Sequence, residues 1–295
     1  GKPLILRAGA VPVAVTGVTS VGPAGPRVRR MATSRSMTLS AFSSPGLPAQ
    51  AMVLAAGRGE RMRPLTDATP KPLLPVRGQP LMQWPMQALA RGGFTRQLAN
   101  TAWLGEQIPA RFGDRIRWAG LPEVQIAYSH EGRDFGRALE TAGGILRALP
   151  MLDEVFWVVA GDVFAPDFAF SAEAVQRFAA SGRQAHLWLV PNPAHNAKGD
   201  FGLAADGRVL NLPMGDPGRQ YTFSTIALYR KTFFSRADAP APPGNPEGLA
   251  VPLAPLLRAA MDRGEVSGEP YPGDWTDVGT PERLAQLNPQ TCSSK

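Results

Sequence analysis

The chain has 295 residues, of which 44% are hydrophobic and 19% charged. That is an ordinary globular composition, and no apolar run approaches the roughly 18 residues of a membrane span. The single cysteine, Cys292, excludes an intramolecular disulfide and a cysteine metal site, and it fits a reducing, cytoplasmic setting. Of the net charge of +7, residues 1–50 hold six cations (Lys2, Arg7, Arg27, Arg29, Arg30, Arg35) and no acid, which leaves +1 for the rest. The charge is therefore not a basic face, and nucleic acid is not the expected partner.

Residues 1–50 lack helical or strand periodicity and read as a disordered or non-native extension. From residue 51 strands alternate with helices. Met52–Ala55 is a strand. Leu81–Ala90 has helical spacing and ends at Gly92 and Gly93, a good stop. Arg96–Asn100 is a strand, 105–112 a helix, Val124–Tyr128 a strand, and Leu139–Leu149 a helix ending before Pro150. Val155–Ala160 is almost wholly apolar, as a central parallel strand is. Ala172–Ala180 is a helix and His186–Val190 a strand. This alternation predicts an α/β fold, a Rossmann-like mixed, mostly parallel sheet with helices on both faces. Past residue 195, Phe201–Leu203, Val209–Leu212 and Tyr221–Tyr229 read as short strands of a β-rich lid over about 195–235. A Pro-rich loop over 237–255 precedes helical spacing at 255–264. Pro281–Leu287 is a helix with Thr280 as N-cap and Pro281 at its first position. Residues 51–287 are thus expected to form a single domain, with 288–295 a flexible tail.

The strand at Met52–Ala55 runs into Ala56, Gly57, Gly59, Glu60, Arg61, Met62, Arg63, Pro64, Leu65 and Thr66. Glycines let backbone N–H groups close on phosphate oxygens, and the cations neutralise them, so the loop suits a triphosphate. It is not a Walker loop, because no glycine is followed by Lys and Ser or Thr at the required spacing. It is not a dinucleotide fingerprint either, because Met62 stands where the third glycine belongs. What it satisfies is G-x-G-x-R-[ML]-x-P-L-T, followed at Thr69, Pro70, Lys71, Pro72 and Pro75 by T-P-K-P-[LM]-x-P. A surface glycine turn would leave Lys71 between two prolines without a reason. Asp162, directly after the apolar strand, is a second signal. Ligands of such sheets bind at the carboxyl ends of strands, where a carboxylate seldom serves packing.

On these motifs the chain resembles the sugar-1-phosphate nucleotidyltransferase family, with a GT-A-like nucleotidyltransferase fold, over about residues 51–287. Within the family it is most similar to the bacterial N-acetylmuramate-1-phosphate uridylyltransferases of cell-wall (peptidoglycan) recycling. The stretches at 100–105, 128–132, 139–145, 199–201, 221–224 and 275–280 carry that finer likeness. One departure is Ala160 before Gly161 and Asp162, where relatives often have Asn.

The resemblance implies transfer of a nucleotidyl group, from UTP for the nearer relatives, onto a sugar 1-phosphate such as N-acetylmuramate 1-phosphate, with release of pyrophosphate. The attacking phosphate is already ionised, so no general base is needed; the chemistry calls for alignment and cations. Arg61 would hold the leaving phosphates and Lys71 the α-phosphate. Ala56, Gly57, Gly59 and Glu60 would line the nucleotide, and Gly132 would meet the uracil. Glu140 and Asp200 would contact the sugar, with Asn192 nearby. Asp162 and Asp277 would bind Mg2+, a hard cation that takes oxygen ligands. Glu140 could equally be an N-terminal helix carboxylate, and Asn192 a turn residue before Pro193. Other readings remain open at this point: mannose 1-phosphate with GTP, glucose 1-phosphate with UTP or a thymidine triphosphate, a non-catalytic regulatory relative, and a homo-oligomeric assembly.

Overall fold

The apolar run at 155–160 is buried on both sides because its side chains alternate between two cores. Phe156 and Val158 face one, Trp157 and Val159 the other. A computed structural model describes residues 49–289 of the chain. The extension expected over 1–50 therefore lies outside the described residues, save that Ala49 and Gln50 already open the first strand. Eight strands make the main sheet: β1 Ala49–Ala55, β2 Arg96–Thr101, β3 Arg115–Ile116, β4 Val124–His130, β5 Leu152–Ala160, β6 Ala185–Pro191, β7 Tyr221–Arg230 and β8 Val266–Pro270. The helices are α1 Gln83–Arg91, α2 Gln107–Phe112, α3 Glu131–Phe135, α4 Glu140–Ala148, α5 Ala172–Ala180, α6 Lys231–Phe234, α7 Leu253–Asp262 and α8 Pro281–Leu287.

The strand order is β8-β6-β7-β5-β1-β2-β4-β3. Strands β5, β1, β2 and β4 are mutually parallel, as is β8 with β6. Strand β7 runs antiparallel between β5 and β6, and β3 antiparallel to β4. The sheet is mixed and mostly parallel, as the alternation of elements predicts. One core packs α4, α6 and α7 on a sheet face; the other packs α1, α2 and α5 on the opposite face.

Two boundaries differ from expectation. Tyr221–Arg230 is not a lid strand: it is ten residues long and pairs on both edges inside the main sheet. Its apolar residues Ile226, Ala227, Leu228 and Tyr229 are buried there. The lid's own β structure is the hairpin Gly202–Leu203 with Val209–Leu210, with single bridges from Phe201 to Tyr221 and from Arg208 to Ser267. Of the expected tail at 288–295, Asn288 is held in place: it accepts a hydrogen bond from Arg77 N (2.7 Å) and donates to Pro75 O (2.9 Å); residues 290–295 lie outside the described residues.

The parallel register decides where the site lies. Leu54 pairs with Ala160, Ala55 with Thr101 and Thr101 with His130. Four strand carboxyl ends therefore open on one edge of the sheet, with the 56–66 loop and Gly161–Asp162 leaving side by side. Gly161 N donates to Leu54 O at 2.8 Å, an approach a larger residue would obstruct.

Candidate active site

The 57–66 loop is built by its small and apolar residues together. Gly59 sits at φ 67°, ψ 40°, left-handed backbone that glycine adopts at no cost. A Cβ there would also press on Thr66 Cγ2 (3.1 Å) and Lys71 Cβ (3.2 Å). Thr66, fully buried, donates to Gly59 O at 2.9 Å and closes the loop on itself. Its own carbonyl accepts from Arg58 Nη1 and Trp103 Nε1, both at 2.9 Å, while the Arg58 guanidinium lies 3.7 Å from the Trp103 ring centroid. Met62 is fully buried in a third apolar cluster with Leu74, Val76, Leu81, Phe164, Val278 and Leu284. The residue that breaks the dinucleotide fingerprint thus anchors the loop to the segment after Lys71 and to the segment that carries Asp277.

Lys71 opens a one-turn helix between two prolines and is 8% exposed. Fixed proline φ angles pre-set its backbone. Its Nζ pairs with Asp162 Oδ2, across 91 residues of sequence. Gly57, Gly59, Glu60, Arg61, Lys71 and Asp162 share one cavity of about 230 Å³, with Gly279 on its wall. Arg61 is exposed and makes no hydrogen bond or ion pair among the described residues. Its charge is left available at the rim. Ala56 is buried beneath the loop.

Asp277 is brought beside this cavity by a two-residue bridge. It pairs in antiparallel register with Val163, and Val278 N donates to Asp162 O at 2.9 Å. Asp162 and Asp277 therefore come from neighbouring backbone positions, though 115 residues separate them in sequence. Neither carboxylate is idle. Asp277 Oδ1 accepts from Arg283 Nη1 and lies 2.8 Å from His195 Nε2. Arg283, at the start of α8, is near enough that a Cβ on Gly279 would collide with it and sit 3.2 Å from Arg61 Nη2. Two guanidinium groups thus converge over Gly279, which marks the wall as a place for an anion. Two carboxylates with phosphate oxygens suit magnesium, which seldom relies on a full protein cage. No group of three or more His, Cys, Asp or Glu residues able to hold a metal is found among the described residues.

The remaining expected residues lie off this cavity. Gly132 is the second residue of α3, where a Cβ would run into the carbonyl and Cα of Ala102. Gly132→Ala is accordingly expected to cost about 1–3 kcal/mol of stability through overpacking; a melting curve overlapping that of the parent would contradict this contact. Glu140, exposed at the first position of α4, has φ 60°, a conformation that is uncommon for a residue with a Cβ and clusters at functional sites. Asn192 and Asp200 are engaged between the lid and the start of β7. Asn192 donates to Arg219 O (2.8 Å) and accepts from Thr222 Oγ1 (3.0 Å). Asp200 accepts from Asn196 Nδ2 (3.0 Å) and from Phe223 N (2.9 Å).

Sequence reasoning misses Arg58, Trp103, His195 and Arg283. Arg58 carries a faint signal, a cation inside a Gly-x-Gly loop; the others reveal themselves only when distant segments meet.

A family model described as nucleotidyl transferase matches residues 50–294. The chain is 46% identical over 240 residues to the N-acetylmuramate alpha-1-phosphate uridylyltransferase of Neisseria meningitidis serogroup B, covering 80% of this chain and 96% of that protein. To the protein of the same description from Caulobacter vibrioides it is 28% identical over 80% of this chain and 93% of the relative. Among solved structures, the CTP:phosphocholine cytidylyltransferase of Streptococcus pneumoniae superposes with a TM-score of 0.59 at 18% identity, over 82% of this chain and 98% of that one, a likeness of fold.

Proposed function

The chain belongs to the nucleotidyl transferase family, and we propose that it transfers uridylyl from UTP to N-acetylmuramate 1-phosphate, giving the nucleotide sugar and pyrophosphate. The observation that carries the reading is the convergence of Gly57, Gly59, Arg61, Lys71 and Asp162 on one cavity. In this reading an oxygen of the sugar phosphate attacks the α-phosphorus. The bond from the α-phosphorus to the bridging oxygen breaks, and pyrophosphate leaves with the electron pair. Backbone N–H groups at Gly57 and Gly59 orient the phosphates. Arg61, with Arg283 beside it, neutralises the leaving pyrophosphate, and Lys71 neutralises charge that gathers around the α-phosphate in the transition state. Asp162 and Asp277 would hold magnesium, which supplies further positive charge to the phosphates. In this reading Gly132 contacts the base, and Glu140 and Asp200 contact the sugar, with Asn192 nearby. The substrates are soluble phosphates, and no described helix is long and apolar enough to cross a membrane; we place the reaction in the cytoplasm.

The substrate pair is tested by pyrophosphate release from a panel of sugar 1-phosphates against four triphosphates with magnesium. Release is expected to be fastest with UTP and N-acetylmuramate 1-phosphate. A preference for GTP with mannose 1-phosphate, or for a thymidine triphosphate with glucose 1-phosphate, would replace that substrate assignment.

A further inference from the structure

We infer that Glu131 and Asn100 act as one buried positioning pair that sets the base and sugar ends of the site against the nucleotide loop. The inference rests on the functional reading above. Asn100 is 3% exposed and Glu131 is fully buried, each at or just past the carboxyl end of its strand. Ala55 N donates to Asn100 Oδ1 at 2.8 Å. That backbone donor fixes which end of the amide is oxygen, so Nδ2 must face the other way. It donates to Glu131 Oε1 at 2.7 Å. The second carboxylate oxygen, Oε2, accepts from Leu139 N at 2.8 Å. One chain of three hydrogen bonds thus runs from the residue before the nucleotide loop, through the residue preceding Gly132, to the residue preceding Glu140.

The helix α4 is built around this chain. It carries two adjacent glycines in nine residues, each unfavourable by about 1 kcal/mol relative to alanine in a helix interior. A Cβ on Gly144 would lie 2.5 Å from Glu131 Oε1 and 2.9 Å from Asn100 Nδ2. A Cβ on Gly143 would lie 2.5 Å from Leu249 O. Helix propensity has been given up so that the polar pair and the 249–251 segment can approach. Burial is the main influence on the Glu131 carboxyl and pushes its pKa up; the bonds from Asn100 and Leu139, with the charge of Arg147, act in the opposite direction. A buried carboxylate is costly to keep, and any polar residue that merely filled the space could have been replaced by an apolar one. Its use here is to hold Gly132 and Glu140 at a fixed distance from Ala55 and the loop that follows.

The pair can be inverted, which gives the test. In Glu131→Gln one amide cannot accept from both Asn100 and Leu139. In Asn100→Asp two carboxylates face each other. The double variant restores every bond: Asp accepts from Ala55 N and from the Gln amide, and the Gln carbonyl accepts from Leu139 N. The net charge is unchanged. Amide exchange at Leu139 is expected to quicken in both single variants and to return to its parental rate in the double. Calorimetric affinity, with whichever of the four triphosphates the parent binds most tightly, should fall about tenfold or more in the singles and recover to within about threefold in the double, at a full number of binding sites. A purely structural role would lower the number of sites and leave the affinity of the folded fraction intact. Parental affinity in both single variants, or a double no better than the worse single in exchange and affinity, overturns the inference. A parent that prefers another triphosphate than UTP refutes the uridylyl assignment and leaves this comparison decisive.

Discussion

Asp162→Asn is expected to lower magnesium-dependent pyrophosphate release by about 10²–10³-fold, a loss comparable to removing one well-placed charge-stabilising group. The substitution is nearly isosteric, so the strand end and the contact of Gly161 N with Leu54 O survive it. What it removes is one negative charge. The carboxylate pairs with Lys71 Nζ. The same oxygens are those we assign to the metal. The Asp162 side chain is 34% exposed while that of Lys71 is 11% exposed, so the loss of the pair costs less stability than a fully buried pair would. The measurement is the rate against magnesium concentration, alongside a melting curve. A variant that melts like the parent and retains near-normal rates at ordinary magnesium concentrations would contradict the assignment of Asp162.

Parts of this site are legible in the sequence alone, and the reason is local. A loop that must present N–H groups to phosphate needs glycine at particular steps, and its cations lie within a few residues of those glycines. Gly57, Gly59, Arg61 and Lys71 all come from one stretch of fifteen residues. The helix starts are legible for the same reason. Ser171 accepts from Ala174 N and Thr280 from Arg283 N, so α5 and α8 begin where the capping residue stands. Long-range pairing is not legible in this way. An apolar strand reads alike whether its neighbours are parallel or antiparallel, so spacing alone puts Tyr221–Tyr229 in the lid although that strand divides β5 from β6. Nothing in the spacing of Asp162 and Asp277 shows that a two-residue bridge sets them side by side. The side chains that attend Asp277, those of His195 and Arg283, reach it from the lid and from α8. The buried link between Asn100 and Glu131 likewise depends on β2 and β4 being neighbours in register, with Asn100 opposite Ser129.

The second large effect is expected from Lys71→Met, in which two measurable quantities part. Turnover should fall by about 10²–10³-fold, because the fixed cation we assign to the reacting phosphate is lost and a low-dielectric wall makes that charge count for more than it would in water. Methionine keeps most of the length of the aliphatic stem that packs beside Gly59, where Lys71 Cβ is already within 3.2 Å of a Cβ position, so the loop should hold its shape. The magnesium requirement should move the other way. In the parent, the Lys71 ammonium pairs with Asp162 Oδ2, so a metal ion held by that carboxylate would share its charge with a neighbouring cation. Removing the ammonium frees that carboxylate, and the magnesium concentration at half-maximal residual rate should drop below the parental one. A residue that only stabilised the loop would lower the rate and leave the metal dependence where it was. Arg61→Met provides the contrast: Arg61 pairs with no carboxylate among the described residues, so its loss should weaken turnover and triphosphate affinity without lowering the magnesium requirement. Equal shifts in magnesium dependence for the two variants would mean that Lys71 and Asp162 do not compete as the ion pair implies.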